Sequence, residues 1–476
     1  SAALAGCATV PGASKPVGRV IVIGAGYGGA TAAKYIRMWS QGTIEVFLIE
    51  RNAEFLSCPM SNLVLGGNRT MADITRSYQK LRDYGVQVIR DEVTDISLDK
   101  KRVSLRRIEA LPYDRPNTSM KIFQMCEDCK KEYENPLNRR FHAQPIACPV
   151  CGPQIELWDA SGKIQCAHND SVKHVVDFLN QGKIIALKGL GGFQLLCDAR
   201  NDKAVARLRQ RKHREEKPFA LMFPTIESVR EICSLHQFEE RLLLSAESPI
   251  VLLKLKSHPD KVGTHLTSHV SNSVAPGNPY LGVMLPYTPL HYLLMKRSGF
   301  PVIATSGNLS EEPMCIAESE ALDRLNGIAD YFLVHNRPIV RQVDDSIVRI
   351  LKGREMVLRR ARGYAPLPIQ INEQNKNKSV IAVGAHLKNT IAVSKGNDVF
   401  ISQHIGDLSS SESFNAFTKT ISDFQKLYKI KTGNVVCDLH PDYLSTKYAG
   451  ELNTEPLKVQ HHIAHVAACR AENQVK

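Results

Sequence analysis

The sequence predicts an α/β multidomain protein, and three observations carry that prediction. From Val20 to Arg37 an apolar strand, a glycine-rich turn and a helical stretch follow one another. Apolar runs at Ile184–Leu187, Val251–Leu255 and Val302–Ala304 then alternate with helical segments. A further set of short strands and one helix fills the stretch from Val380 to Asp438. The expected organisation is a signal-like tail over residues 1–17, a partial Rossmann-like domain over 18–105, a cysteine finger over 111–160, a second α/β domain over 166–364 and a truncated actin-like domain over 378–476.

The totals narrow the function classes. The 476 residues are 43% apolar and 23% charged, ordinary values for chains that bury several cores. No run of about 18 apolar residues is present, so no helix spanning a membrane is predicted. A net charge of +13 favours anionic partners such as nucleotides, phosphorylated metabolites or acidic proteins. Of 12 cysteines, four fall in two Cys-x-x-Cys pairs and the rest are scattered, which suits a metal site in a reducing compartment better than a disulfide framework. A cytoplasmic location is expected. The uncharged, Ala- and Gly-rich start, with Leu4-Ala5-Gly6-Cys7, conflicts with it by looking like the end of an export signal, or is a loose apolar terminus.

In chain order, Val20–Ile23 is followed at once by Gly24-x-Gly26-x-x-Gly29. The first glycine permits the turn, the second admits a pyrophosphate, and the third lets helix and strand pack closely. A second strand, Ile44–Ile49, ends in Glu50, placed to bind a ribose hydroxyl of FAD or NAD. The stretches GATAAKYI, EVFLIERNAEFLSCPMSN and GGNRTMADI resemble the flavin subunit of flavocytochrome c sulfide dehydrogenase. That resemblance implies FAD, tethered covalently at Cys58; without it, Cys58 reads as a buried free cysteine.

Cys126-x-x-Cys129, 18 residues, then Cys148-x-x-Cys151 gives two knuckles whose four thiolates fit a tetrahedral zinc ion. Coordination by four cysteines is closed, so the metal is structural. Arg139, Arg140 and Lys130 beside it leave an RNA-binding ribbon open, though such charges also simply face water, and nucleic acid is not the expected partner.

Next comes Lys188-Gly189-Leu190-Gly191-Gly192, whose glycines would let backbone N–H groups approach an anion. A helix beginning near Asn201-Asp202 buries Ala204, Val205 and Leu208 and exits through Arg207, Arg209, Arg211, Lys212, Arg214 and Lys217. Glycines beside so many cations suggest a polyanion site; a solvated helix face is the plain alternative. Thr305-Ser306-Gly307-Asn308 offers a hydroxyl and an amide after a strand, or an ordinary turn. Asp344 and Asp345 could take magnesium or face solvent. Near the end, His461 and His465 share a helix face and could share a metal, or form a solvated pair.

PYDRPNTSM, the cysteine spacing, NRRFHAQP, LKNTIAV, SQHIGDL and VQHHIAH resemble the hydrogenase-maturation carbamoyltransferase family HypF, from about Leu111 to the end. The resemblance implies a YrdC-like domain that joins carbamate to ATP, used with magnesium, giving carbamoyl-AMP. It also implies a TsaD-like domain that passes the carbamoyl group to a cysteine of a HypE-like acceptor. Lys188, Arg211, Lys212, Arg214 and Lys217 would line the anionic ligand, Ser306 and Asn308 would contact the nucleotide, and Arg341 would hold the carbamoyl or phosphate end. Lys188, Arg211 and Arg341 are the expected catalytic cations. Related adenylate synthases write the helix exit as Lys-x-Arg, places on which Arg211 and His213 fall. A second metal, iron or zinc, is implied at His461 and His465. The family's acylphosphatase domain, first zinc pair and later acidic ligand have no counterpart in these residues.

Overall fold

The computed structural model describes residues 18–23, 27–41, 43–49, 54–56, 75–89, 115–135, 138, 140–141, 143–256, 270–309, 312–371, 379–430, 433–452 and 455–473. It divides into two units, 1–101 and 102–476.

In the first unit, β1 (Gly18–Ile23) and β2 (Ile44–Ile49) pair in parallel around α1 (Tyr27–Trp39), and the later strand β3 (Gln87–Ile89) joins β2 in parallel. Ala33 on α1 packs on Val46, Leu48, Tyr78 and Val86, a small core closed by one helix on one sheet. Gly29 lies inside α1, where the sequence places the close helix–strand approach. Gly24, Gly26, Glu50 and Cys58 lie outside the described residues.

The second unit opens on the cysteine segment. Arg115, 6% exposed, donates to the carbonyls of Gln144, Ile146 and Phe123 at 3.0, 2.7 and 2.7 Å. One guanidinium thus satisfies three buried carbonyls and holds the irregular loop without much secondary structure.

Behind it lies a mixed sheet of 12 strands. Its centre consists of β4 (Ile185–Lys188), β5 (Phe193–Asp198) and β6 (Val302–Ser306), with β7 (Tyr331–His335) outside β4. β4 and β5 are buried along their whole length, as apolar runs without alternation require. Further along come β8 (Ile347–Leu351) and β9 (Arg354–Arg359). The helix α2 (Asp202–Arg211) starts at Asn201, whose side chain accepts from the Ala204 N–H at 3.1 Å, and buries Ala204, Val205 and Leu208.

The antiparallel registers Lys188↔Phe193 and Gln194↔Ser306 set the end of β4, the start of β5 and the end of β6 side by side. That sheet edge is where the candidate site forms. The last part is a six-stranded sheet. In it β10 (Val380–Ala382) pairs with β11 (Ala392–Lys395), and β11 with β12 (Asp398–Ile401). The helix α3 (Ser411–Tyr428) covers it through Phe417, Ile421 and Phe424.

Candidate active site and metal centres

The helix exit sorts its cations into two groups. Arg211 donates to Asp330 Oδ1 at 2.8 Å and to the Ile328 carbonyl at 3.0 Å, and Arg207 lies 3.8 Å from the same carboxylate. These two face Asp330 beside β7 and do not line the candidate site. After Arg211 the helix stops, and His213 takes φ 50°, in the left-handed region. Lys212, at the helix end, already points toward β6, and the reversal leaves His213 exposed and brings Arg214 to the same strand. Lys212 and Arg214, and not Arg211 and His213, are thus the cations that reach the Thr305–Asn308 segment.

Lys212 is 3% exposed. Its Nζ donates to the Ser306 carbonyl at 2.8 Å, the Asn308 carbonyl at 2.5 Å and Asn308 Oδ1 at 2.8 Å. Burial, helped by Arg214, pulls its ammonium down to about 7. Arg214, pushed down to about 10 by burial and by Arg209, reaches Thr305 Oγ1 at 3.4 Å. Ser306 donates to Asn308 Oδ1 at 2.7 Å, and Asn308 Nδ2 to the Glu312 carbonyl at 2.5 Å. Arg209 positions the loop between these groups: its Nη1 donates to the carbonyls of Arg214 and Glu215 at 3.0 and 2.9 Å, over the face of Phe219.

Ser306, Asn308 and Lys217 open onto a cavity of about 390 Å³. Its far wall carries Lys388, His404 and Asp407 from the six-stranded sheet, and Arg359 and Arg360 stand between. The volume falls in the range of small-molecule sites, and the cations suit phosphate oxygens. No local pattern in the sequence marks Lys388, His404, Arg359 or Arg360 as ligands. LKNTIAV and SQHIGDL held the first two, and only long-range pairing places them here.

Lys188 stands apart from that cavity. It is 1% exposed, pairs with Glu318, and donates to the His335 carbonyl at 3.0 Å. Both partners line a separate, mostly apolar cavity of about 520 Å³ with Trp158 and Glu156.

The glycine turn after Lys188 is not an open cradle. A Cβ on Gly191 would stand 2.3 Å from the Val343 carbonyl, and one on Gly192 would stand 2.9 Å from Met314 Cβ. Those glycines are needed for close backbone packing rather than to admit a ligand. Arg341 also departs from expectation, since its Nε donates to Asp423 Oδ2 on α3 at 2.7 Å.

The four thiols of Cys126, Cys129, Cys148 and Cys151 lie within 4.8 Å of one another, a group able to hold a metal ion. Among the described residues it is the one such group with three or more His, Cys, Asp or Glu ligands. Burial, together with the neighbouring thiols, raises Cys129. Burial would raise Cys151 too, but backbone N–H groups and the neighbouring thiols outweigh it and bring it down to about 6. At the other end, His461 Nε2 and His465 Nε2 stand 3.1 Å apart, and Asp438 Oδ2 accepts from His461 Nδ1 at 2.7 Å. Asp438 fixes the ring so that the opposite nitrogen faces His465.

Family profiles match four consecutive stretches of the chain. Residues 18–115 match pyridine nucleotide-disulphide oxidoreductase, and 125–158 match the HypF finger. Residues 177–361 match the Sua5, YciO and YrdC family, described as telomere recombination, and 375–472 match the HypF Kae1-like domain. The carbamoyltransferase HypF of Synechocystis is 48% identical over 368 residues, which are 77% of this chain and 47% of that protein. A crystal structure of full-length HypF in a phosphate- and nucleotide-bound form superposes with a TM-score of 0.72 at 46% identity, over 78% of this chain and 47% of that one. The chain thus spans about half the length of the HypF proteins it matches. A sulfide dehydrogenase flavoprotein chain of Chlorobaculum thiosulfatiphilum is 48% identical over 46 residues, 10% of this chain and 94% of that sequence.

Proposed function

We propose that residues 111–476 are part of a HypF-type carbamoyltransferase of [NiFe] hydrogenase maturation, with 166–364 as the adenylate-forming domain. The observation that carries the reading is Lys212, a buried cation clasping Ser306 and Asn308 at the rim of a cavity ringed by Lys217, Arg359, Arg360 and Lys388. A carbamate oxygen attacks the α-phosphorus of ATP, the bond to the β-phosphate oxygen breaks, and pyrophosphate leaves with carbamoyl-AMP formed. The residues' part is to place the phosphates and offset charge growing on the leaving group, work that fixed cations do well away from bulk water. Lys217 and Arg214 serve the phosphates, Lys212 adds its buried charge from behind Ser306 and Asn308, and those two serve the nucleotide. Magnesium accompanies the ATP.

Zinc on the four cysteines organises the finger. His461 and His465 hold a second metal, iron or zinc, with Asp438 orienting His461. The carbamoyl group then passes to a HypE-like acceptor, carbamoyl phosphate being the source of the carbamate. A reducing cytoplasm keeps the thiols available for metal. The test is ATP–pyrophosphate exchange. Exchange should require carbamate and fall at least 100-fold in Lys212→Met; exchange unaffected by that change would refute the site.

A second reading concerns residues 18–105, whose parallel strands around α1 and short flavoprotein likeness favour a dinucleotide, FAD in particular. Purified protein carrying acid-resistant flavin would support it, and colourless protein would count against it.

A further inference from the structure

His404 and Asp344 are 60 residues apart and meet across the cavity wall. Asp344 lies just before β8 of the large sheet, and His404 just after β12 of the small one. His404 Nδ1 stands 3.1 Å from Asp344 Oδ2, and the His404 backbone N–H donates to the Arg360 carbonyl at 3.0 Å. The same carboxylate oxygen lies 4.0 Å from Arg359 Nη1.

The other acids of the cavity are engaged elsewhere. Glu312 pairs with Arg324 at 2.6 Å, and Asp407 accepts the Lys388 backbone N–H at 2.6 Å. Asp344 is therefore the acid that competes with an incoming anion for Lys217 and Arg359. Burial by itself would raise its carboxyl, but the His404 hydrogen bond, Arg359 and Lys217 together hold it below the usual carboxylate range. It stays a charged competitor at neutral pH.

We infer that His404 is a positioning residue for the phosphate site: by holding the Asp344 carboxylate, it leaves Lys217 and Arg359 available to the anionic ligand. This rests on the adenylate-cavity reading above. Without the donor at Nδ1 the carboxylate is free to turn fully onto the two cations and neutralise them. The small sheet then sets the anion affinity of a site built mainly on the large one, through the hold of one imidazole on one carboxylate.

The experiment is isothermal titration of the full chain with inorganic pyrophosphate in magnesium-free buffer. His404→Ala should weaken binding roughly tenfold, the scale of one hydrogen bond to a charged group. His404→Asn, whose amide N–H takes the place of Nδ1, should restore it. Asp344→Asn should bind at least as tightly as the unchanged chain, and His404→Ala added to it should have no further effect. Lys217→Ala tests the underlying reading separately. If Lys217→Ala weakens binding and His404→Ala does not, the role of His404 is refuted and the cavity stands. If Lys217→Ala binds like the unchanged chain, the cavity reading itself fails. Should His404→Ala not fold, weaker binding by Asp344→Asn would overturn the inference alone.

Discussion

Lys212 makes the site's response to its ligand measurable as a proton. Three oxygens within 2.8 Å of Nζ call for all three N–H bonds of an ammonium, while burial opposes the charge and brings the group to about 7. At pH 8 an amine with that value is only about 10% charged. A phosphate close by favours the charged form, and a rise of two units makes it about 90% charged, so binding takes up about 0.8 proton per chain. Pyrophosphate titrations at pH 8 in Tris and in a buffer of low ionisation enthalpy report the uptake, since their apparent enthalpies differ by the protons taken up times the difference between the two ionisation enthalpies. Because pyrophosphate's own proton release is common to both chains, Lys212→Met should take up about 0.8 proton fewer than the unchanged chain, and the same uptake in the two would refute the reasoning. Stability carries the same signature. The unfolded lysine keeps its proton to about 10.4 while the folded one loses it near 7, so the unfolded state binds more protons between those values. Stability contributed through this group is therefore lowest below pH 7 and rises up to about pH 10, by at most ~5 kcal/mol, a slope that Lys212→Met removes.

Other expectations are sharper for being local. Gly191→Ala puts a Cβ against the Val343 carbonyl at 2.3 Å and should cost about 1–3 kcal/mol in denaturant unfolding, whereas a ligand-cradle role predicts lost binding at unchanged stability. Arg211→Ala should lower stability by about 1–2 kcal/mol through the freed Asp330 and Ile328 partners, yet reduce exchange less than tenfold; a hundredfold loss would restore it to the site. Cys126→Ser should lower the zinc content below one ion per chain and open the finger to proteolysis around Arg115, and unchanged metal content would contradict the four-thiol assignment. Arg341→Ala should speed hydrogen exchange in α3, where Asp423 loses its 2.7 Å partner, without abolishing pyrophosphate binding.

Much of the second unit was legible because its signals are local. Continuous apolar runs marked β4 and β6, Asn201 marked the start of α2, and two knuckles marked the thiol cluster. Lys212, Arg214, Ser306 and Asn308 were all singled out, and the structure brings those four together. Which cation faces which way was not legible, because it depends on where α2 ends. Helical phase groups Arg211 with Arg207 and turns Lys212 to another face, and the left-handed turn at His213 then redirects Arg214. Arg209 looked like one more surface charge and proved to be the tie for the loop, since its five carbonyl partners come from residues 214–217 and 273–274. Arg341, Lys388 and His404 depend on how two sheets meet. No local pattern encodes that meeting.

If the cavity binds ATP, phosphates sit between Ser306–Asn308 and Lys388–His404. A crystal structure of this chain with a non-hydrolysable ATP analogue tests it most directly. Triphosphate density within hydrogen-bonding reach of Lys217 and Ser306 is the result predicted. Density in the cavity beside Trp158 and Glu318, or at Arg207 and Arg211, with the Lys217 cavity left to water, would contradict it.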